Sequence, residues 1–300
     1  MKGKIIKGIA GFYTVHGEDG RPYECKARGS FRKDGVKPLV GDDVQIRVLD
    51  EQGLVGNVEE ILPRRNTLVR PAVANVDQAM IVFAMANPMP NLNLLDRFLV
   101  MMEWQGLETV ICFSKQDIVD EEREKELLEV YRACGKRVIC FSNMDGTGLD
   151  EIRACLSGCT TVLAGPSGVG KSSLLNSIYP EALPEIGELS GKIGRGKHTT
   201  RHSELFCIGK NSFLFDTPGF SSLNLPEEML KEDLRECMKE FVVYEKECRF
   251  LGCSHIHEPG CRIRQKLDEG VISSSRYENY VQMYGELAEA EKRNYGRNRK

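Results

Sequence analysis

The hydrophobic and polar positions of this chain change rhythm twice. In the first stretch apolar residues alternate with polar ones in short runs. Val44, Ile46 and Val48 are separated by single polar residues, the period of a half-buried strand. Strands are predicted over residues 4–13, 21–28, 43–49 and 54–61, with glycine-bearing turns at 17–20, Gly35 and Gly53 between them. Four or five such strands predict a small β barrel of the OB or SH3 kind, with OB preferred. Pro63-Arg64-Arg65-Asn66 reads as its exit linker.

From Val76 the pattern alternates between apolar strands and amphipathic helices. Strands are predicted at 76–84, 108–113, 137–141 and 160–164, and helices at 94–102, 121–133 and 149–156. That alternation implies a parallel, doubly wound sheet, with further strands at 203–208 and 213–215. Beyond Pro226 the chain reads as helical. Met229, Leu230, Leu234, Cys237 and Met238 share the span 227–240. Ser275 with Glu278 makes a capping-box pattern ahead of Val281, Tyr284, Leu287 and Ala288. The expected organisation is a multidomain α/β protein: an OB-like barrel over 1–65, a nucleotide-binding domain over 66–225 and a helical module over 226–300.

Composition adds exclusions. With 41 basic and 44 acidic residues and 41% hydrophobic positions, the chain is neither disordered nor fibrous. Its longest apolar run, 79–86, is far short of the ~20 residues that span a bilayer, so no membrane role is expected. Gly3, Lys7 and Gly8 interrupt the start, which does not read as a secretory signal. The net charge of -3 hides basic clusters at Lys2, Lys4 and Lys7, at Arg64, Arg65 and Arg70, at 195–202 and at 292–300. Each is a candidate for contact with nucleic-acid phosphates. Eleven irregularly spaced cysteines suit reduced thiols in the cytoplasm rather than a disulfide framework.

The clearest chemical signal is Gly165-Pro166-Ser167-Gly168-Val169-Gly170-Lys171-Ser172, followed by Ser173. It matches G-x-x-x-x-G-K-[ST] between a predicted strand and a predicted helix, the context this motif requires. Its glycines let backbone N–H groups turn toward phosphate oxygens. Lys171 supplies a point charge for the β and γ phosphates, and Ser172 a hydroxyl for Mg²⁺. Downstream, Asp216-Thr217-Pro218-Gly219 follows the strand at 213–215. Asp216 could hold Mg²⁺ through water, and Gly219 could turn its N–H to a γ-phosphate. The glycine-rich, basic run 194–202 between them suits a switch loop in which Thr199 or Thr200 ligates Mg²⁺. Phe220 stands where many GTPases carry a water-orienting Gln, so His198 becomes the candidate catalytic residue.

Upstream of the phosphate loop, Ser114-Lys115-Gln116-Asp117 follows a predicted strand and approximates [NT]-K-x-D. Asp117 would accept from guanine N1–H and the 2-amino group, donors that adenine lacks. The stem of Lys115 would cover the base, and Phe141-Ser142-Asn143 lies where a second base-contacting loop belongs, with Ser142 its candidate contact. Base selector first, phosphate loop second is the reverse of the Ras-like order. Near the end, Cys248, Cys253 and Cys261 with His255 or His257 form a C-x4-C-x-H-x5-C pattern suited to one structural Zn²⁺.

Together the permuted motif order, N-terminal barrel and zinc pattern resemble the bacterial RsgA (YjeQ/YloQ) family of circularly permuted GTPases that depend on the small ribosomal subunit. Residues 70–78 and 95–99 resemble the entry and first helix of its GTPase domain. The runs 165–173, 194–200, 216–220 and 248–261 resemble its phosphate loop, two switches and zinc knuckle. The spacing in that family selects His255 as the fourth ligand. The resemblance implies a monomeric cytoplasmic enzyme that binds GTP/GDP with Mg²⁺ and contacts the rRNA of the small subunit. It would hydrolyse GTP when the subunit stimulates it, and then leave. A nucleotide-gated RNA-binding scaffold with little turnover is the alternative, favoured by Phe220; an adenine-dependent ATPase is disfavoured by Asp117.

Overall fold

The computed structural model describes residues 1–28, 31, 36–68, 72–179, 204–216 and 223–297, with side chains to Asn294. A closed barrel forms from β1 (Lys2–Ile9), β2 (Phe12–Gly17), β3 (Pro22–Ala27), β4 (Asp43–Asp50) and β5 (Val55–Ile61). Its order is β1-β2-β3-β5-β4, with β4 returning to β1. Inward positions alternate along the strands, so Ile5, Val15, Tyr23, Cys25, Val44, Ile46 and Val58 fill the interior. The single strand expected over 4–13 is in fact a hairpin. The chain reverses at Ala10 and Gly11, with φ of 51° and 90°, and Ile9 pairs with Phe12. Two successive positive φ values suit a two-residue hairpin turn, but Ala10 lacks the Asn or Asp that usually announces one.

A short pair, β6 (Thr67–Leu68) and β7 (Val73–Ala74), follows the barrel. The main sheet holds β8 (Gln78–Ala84), β9 (Glu108–Ser114), β10 (Arg137–Cys140), β11 (Thr160–Ala164), β12 (Leu205–Gly209) and β13 (Ser212–Asp216). The strand order is β10-β9-β8-β11-β13-β12. The β10/β9 and β11/β13 pairs are parallel, whereas β12 and β13 form an antiparallel hairpin. Among the described residues the helices are α1 (Leu92–Trp104), α2 (Glu121–Tyr131), α3 (Leu149–Leu156), α4 (Lys171–Ile178), α5 (Lys239–Val242), α6 (Arg262–Asp268) and α7 (Ser274–Arg297).

The chain divides into two compact units. One comprises Met1–Met80, Leu149–Ala164 and Lys171–Pro218. Within it the barrel docks on the β12–β13 hairpin. Lys7 bridges Glu204 at 3.1 Å, the His16 ring stands edge-on to Phe213, and the Lys4 ammonium lies over the same Phe213 ring. Several residues read as RNA-facing charges are balanced at home. Lys4 pairs with Asp43 at 2.8 Å, Arg65 pairs with Asp77, and Arg64 makes a two-pronged bond to the fully buried Asp42 at 2.7 and 2.8 Å. At these positions a phosphate would have to compete with a carboxylate already in place.

The other unit comprises Ile81–Gly148, Gly165–Gly170 and Gly219–Lys300. Its α1 starts at Asn91, whose side chain accepts from the Leu94 N–H at 3.0 Å. The C-terminal part packs Met229, Leu234, Met238, Phe241, Ile263, Tyr280 and Met283 into one core. The long helix expected over 227–240 is absent. Asp233–Cys237 and Glu245–Glu247 are 3-10 turns, and only Lys239–Val242 is α-helical. Met238 is extended, with φ -102° and ψ 93°, so the helical spacing of the apolar residues is carried by a bent chain around that core. A buried ionic group ties this region to α1. Arg276 of α7 reaches Asp96 of α1 and Glu240 of α5, both at 2.5 Å. Asn279 donates to the second oxygen of Asp96 at 2.6 Å.

Candidate nucleotide and metal sites

β11 is buried along its whole length and delivers the chain into the glycine-rich loop at 165–170. Gly165, Gly168 and Gly170 have φ of 146°, 79° and 90°, in the region that side chains rarely adopt. At Gly165 space is decisive as well, because a Cβ there would lie 2.1 Å from the Val82 carbonyl oxygen. Two side chains hold the loop from outside. The Ser114 hydroxyl donates to the Val169 carbonyl at 2.6 Å, and the Asn143 amide donates to the Gly170 carbonyl at 3.3 Å.

Lys171 begins α4 and is buried, while Ser172 and Ser173 are exposed. In the same unit Asp216 ends β13 in register with Leu163. Burial pulls the Lys171 ammonium pKa down, and the Asp216 charge opposes that pull. Burial pushes the Asp216 carboxyl up, with Lys171 opposing. Asp216 Oδ1 is buried without a hydrogen-bond partner among the described residues. A buried, unpartnered carboxylate oxygen beside a buried ammonium fits a place where a cation and phosphate oxygens complete the charge balance.

The base-selector residues sit at the end of β9. Ser114 is buried, Lys115 is left-handed with φ 62°, and Gln116–Ile118 form a 3-10 turn that leaves Asp117 exposed. The Lys115 ammonium donates to the Asn87 carbonyl, and the Gln116 amide donates to Glu124 at 3.0 Å. Gln116 is thus bound to α2, and its visible role is to seat that turn. Ser142 is buried, and its hydroxyl oxygen accepts from the Met144 N–H at 3.0 Å. That bond shapes the 141–148 loop. The sequence places Asn143 only in the run 141–143 expected to meet the base, and nothing in its spacing announces a bond to the phosphate loop 27 residues away. His198, Thr199, Thr200 and Gly219 lie outside the described residues.

The cysteine pattern closes on itself. Ligand atoms of Cys248, Cys253, His255 and Cys261 all lie within 4.8 Å of one another. His255 Nδ1 is 3.7 Å from Cys248 Sγ and 3.5 Å from Cys261 Sγ. A tetrahedral zinc with Zn–S of about 2.3 Å and Zn–N of about 2.0–2.1 Å puts sulfur and nitrogen ~3.5–3.6 Å apart, so the donor set fits. His257 is exposed and takes no part in this group. The backbone is fixed around the ligands. Tyr277 donates to the His255 carbonyl at 2.7 Å, Tyr280 donates to the Ser254 carbonyl at 2.8 Å, and the Arg262 N–H points at Cys248 Sγ at 3.3 Å. Burial lowers His255 to about 4 and pushes Cys253 up to about 12. The imidazole is therefore neutral, as a ligand must be, and metal uptake would displace thiol protons.

Comparison with known proteins decides the family. The RsgA GTPase model matches residues 61–226, and the RsgA N-terminal domain model matches residues 2–55. The chain belongs to the RsgA GTPase family. A relative from Agathobacter rectalis, named small ribosomal subunit biogenesis GTPase RsgA, is 53% identical over 97% of this chain and 100% of its own length. A protein of the same name from Alkaliphilus metalliredigens is 49% identical over 95% of this chain and 97% of its own. Among solved structures, YloQ, described as a circularly permuted GTPase, is 37% identical with a TM-score of 0.79, covering 96% of this chain and 95% of its own. YjeQ from Thermotoga maritima is 35% identical with a TM-score of 0.78, covering 96% and 98%. RsgA membership establishes the permuted GTPase architecture expected from the motif order and makes GTP hydrolysis, with Mg²⁺, the family activity. It does not favour the scaffold alternative. Among the described residues no helix is long and apolar enough to cross a membrane.

Proposed function

We propose that this chain binds and hydrolyses GTP late in the maturation of the small ribosomal subunit, is stimulated by that subunit, and departs once the GTP is spent. The observation that carries the reading is the Ser114–Val169 hydrogen bond. It joins the end of the base-selector strand to the phosphate loop, although 55 residues separate them in the chain. Asp117 would accept from the guanine edge, and Lys115 would lie along the base. The backbone of 165–170 with Lys171, Ser172 and Ser173 would cradle the phosphates, and Gly219 would meet the γ-phosphate. Ser172, Asp216 through water, and Thr199 or Thr200 would hold Mg²⁺, which when bound neutralises the charge of the transferred phosphoryl group. His198 would orient the attacking water. Cys248, Cys253, His255 and Cys261 would hold one Zn²⁺ that fixes the C-terminal module. The division into a barrel (1–65), a GTPase domain (66–225) and a zinc module (226–300) organises the reading. The closed barrel and the two family matches support it. The protein would act as a cytoplasmic monomer on the rRNA of the subunit.

The test is turnover of GTP and ATP with and without purified small subunits. GTP hydrolysis that the subunits accelerate, with ATP inert, is the expected outcome. Equal use of both nucleotides would sink the base assignment. In the same assay His198→Ala is expected to lose the stimulated rate while keeping GTP affinity, and an unchanged stimulated rate removes His198 from the mechanism. Asp117→Asn supplies an amide that pairs with the N1–H and 2-carbonyl of xanthine. GTP affinity should fall about 10- to 100-fold, the worth of a charged hydrogen bond, while XTP affinity rises. Competition binding reads both changes.

A further inference from the structure

In the 141–148 loop the Asn143 side chain makes its hydrogen bond outside the loop. The Ser142 N–H donates to the Thr147 carbonyl at 3.0 Å, and Gly146 N–H to the Ser142 carbonyl at 3.2 Å. The Met144 N–H donates to the Ser142 hydroxyl at 3.0 Å, and Thr147 N–H to Asp145 at 2.9 Å. Asn143 takes no part in these bonds. Its amide instead reaches out to the Gly170 carbonyl, while its Oδ1 is buried without a partner among the described residues. The approach is close, since a Cβ on Gly170 would lie 3.2 Å from Asn143 Nδ2.

In a planar trans peptide the C=O and the following N–H point in opposite directions. A carbonyl of Gly170 held toward Asn143 therefore turns the N–H of Lys171 the other way. Ser114 does the same one peptide earlier, since it holds the Val169 carbonyl and so turns the N–H of Gly170. Consecutive N–H groups presented to one side, with a positive φ of 90° at Gly170 between them, make an anion-binding concavity.

We propose that Asn143 is a positioning residue for the phosphate cradle, holding the Gly170 carbonyl outward so that the Lys171 N–H faces the nucleotide phosphates. The proposal rests on the nucleotide reading above and goes further. It gives the loop after β10 a phosphate-side task that is separable from base contact.

Asn143→Ala removes the donor, and Asn143→Asp keeps the size but sets a carboxylate oxygen against the Gly170 carbonyl. Guanosine, GMP, GDP and GTP are each titrated against a fluorescent GDP analogue on the full chain, and thermal melting confirms that both variants fold. Affinity for GDP and GTP should fall about five- to tenfold in Asn143→Ala and further in Asn143→Asp, whereas guanosine and GMP should stay within about twofold. An equal loss for all four compounds would make Asn143 a prop for the base loop and overturn the proposal. Unchanged GDP affinity would overturn it too. An ADP titration of the unaltered chain separates the two layers. ADP bound as tightly as GDP defeats the guanine reading, while the dependence on phosphate number still decides the role of Asn143.

Discussion

Chelation of the zinc that the Cys3His group would hold is expected to unfold the C-terminal module of this chain while the barrel stays intact. Cys253 and Cys261 are themselves part of that module's core, alongside Phe241, Ile263, Tyr280 and Met283. The elements around them are 3-10 turns at 233–237 and 245–247, a four-residue helix at 239–242 and a seven-residue helix at 262–268. None of these has the ~12–15 residues at which an isolated helix becomes even marginal in water, and only the 24-residue α7 packed against them is longer. Structural zinc in small domains supplies about 10–16 kcal/mol of apparent binding energy at neutral pH. Elemental analysis should find one zinc per chain. Chelation, or Cys253→Ser, should collapse the near-ultraviolet circular dichroism of Tyr277, Tyr280 and Tyr284 and expose the module to protease. A chelated protein with an unchanged tyrosine signal would show that the Cys3His group does not hold the module.

The second large effect is expected at Arg276. Its guanidinium is buried between Asp96 and Glu240 and lies over the Tyr131 ring at 5.4 Å. Arg276→Met would leave two buried carboxylates facing each other with no cation between them. Breaking a buried ion pair from one side costs about 3–5 kcal/mol, far more than deleting a surface charge. The urea midpoint should drop accordingly. Adding Asp96→Asn and Glu240→Gln to Arg276→Met should recover most of the loss, because it removes the stranded charges. Burial already pushes the Asp96 carboxyl up, with Arg276 the strongest opposing influence. Without that arginine the folded state would bind a proton there more tightly than the unfolded chain does. The variant should therefore lose less stability in mildly acidic than in neutral buffer. A loss under about 1 kcal/mol, a value typical of exposed pairs, would contradict this account.

Some of this was legible in the residues alone. The phosphate loop and the zinc pattern could be read because their chemistry demands fixed spacing, and the structure brings the four zinc-pattern ligands together as the spacing implied. The β/α alternation was legible for the same reason, since burial on both faces leaves near-continuous apolar runs such as 79–84. The turn at Ala10–Gly11 was hidden because alanine seldom marks a positive φ. Residues 227–240 kept helical spacing but follow a bent path, because periodicity reports which residues are buried and not the route that buries them. Asp96 and Arg276 look like ordinary helix-surface charges in the sequence. Only the meeting of α1, α5 and α7 turns them inward. Asp42 was silent for the same reason, and Asn143 was read only as part of a base loop, because each is defined by a partner distant in the chain.

The docking of the barrel on the β12–β13 hairpin bears on any attempt to cut the barrel away. A chain that begins after residue 65 would lose Lys7 from Glu204, and both His16 and Lys4 from Phe213. It would also open the 3.7 Å contact between Cys207 and His16. The hairpin left bare is the one whose second strand ends in Asp216. Lost GTP turnover in such a shortened chain would thus report on a deprived hairpin as readily as on a missing RNA contact. Surface substitutions on the outward face of the barrel are the cleaner way to separate the two.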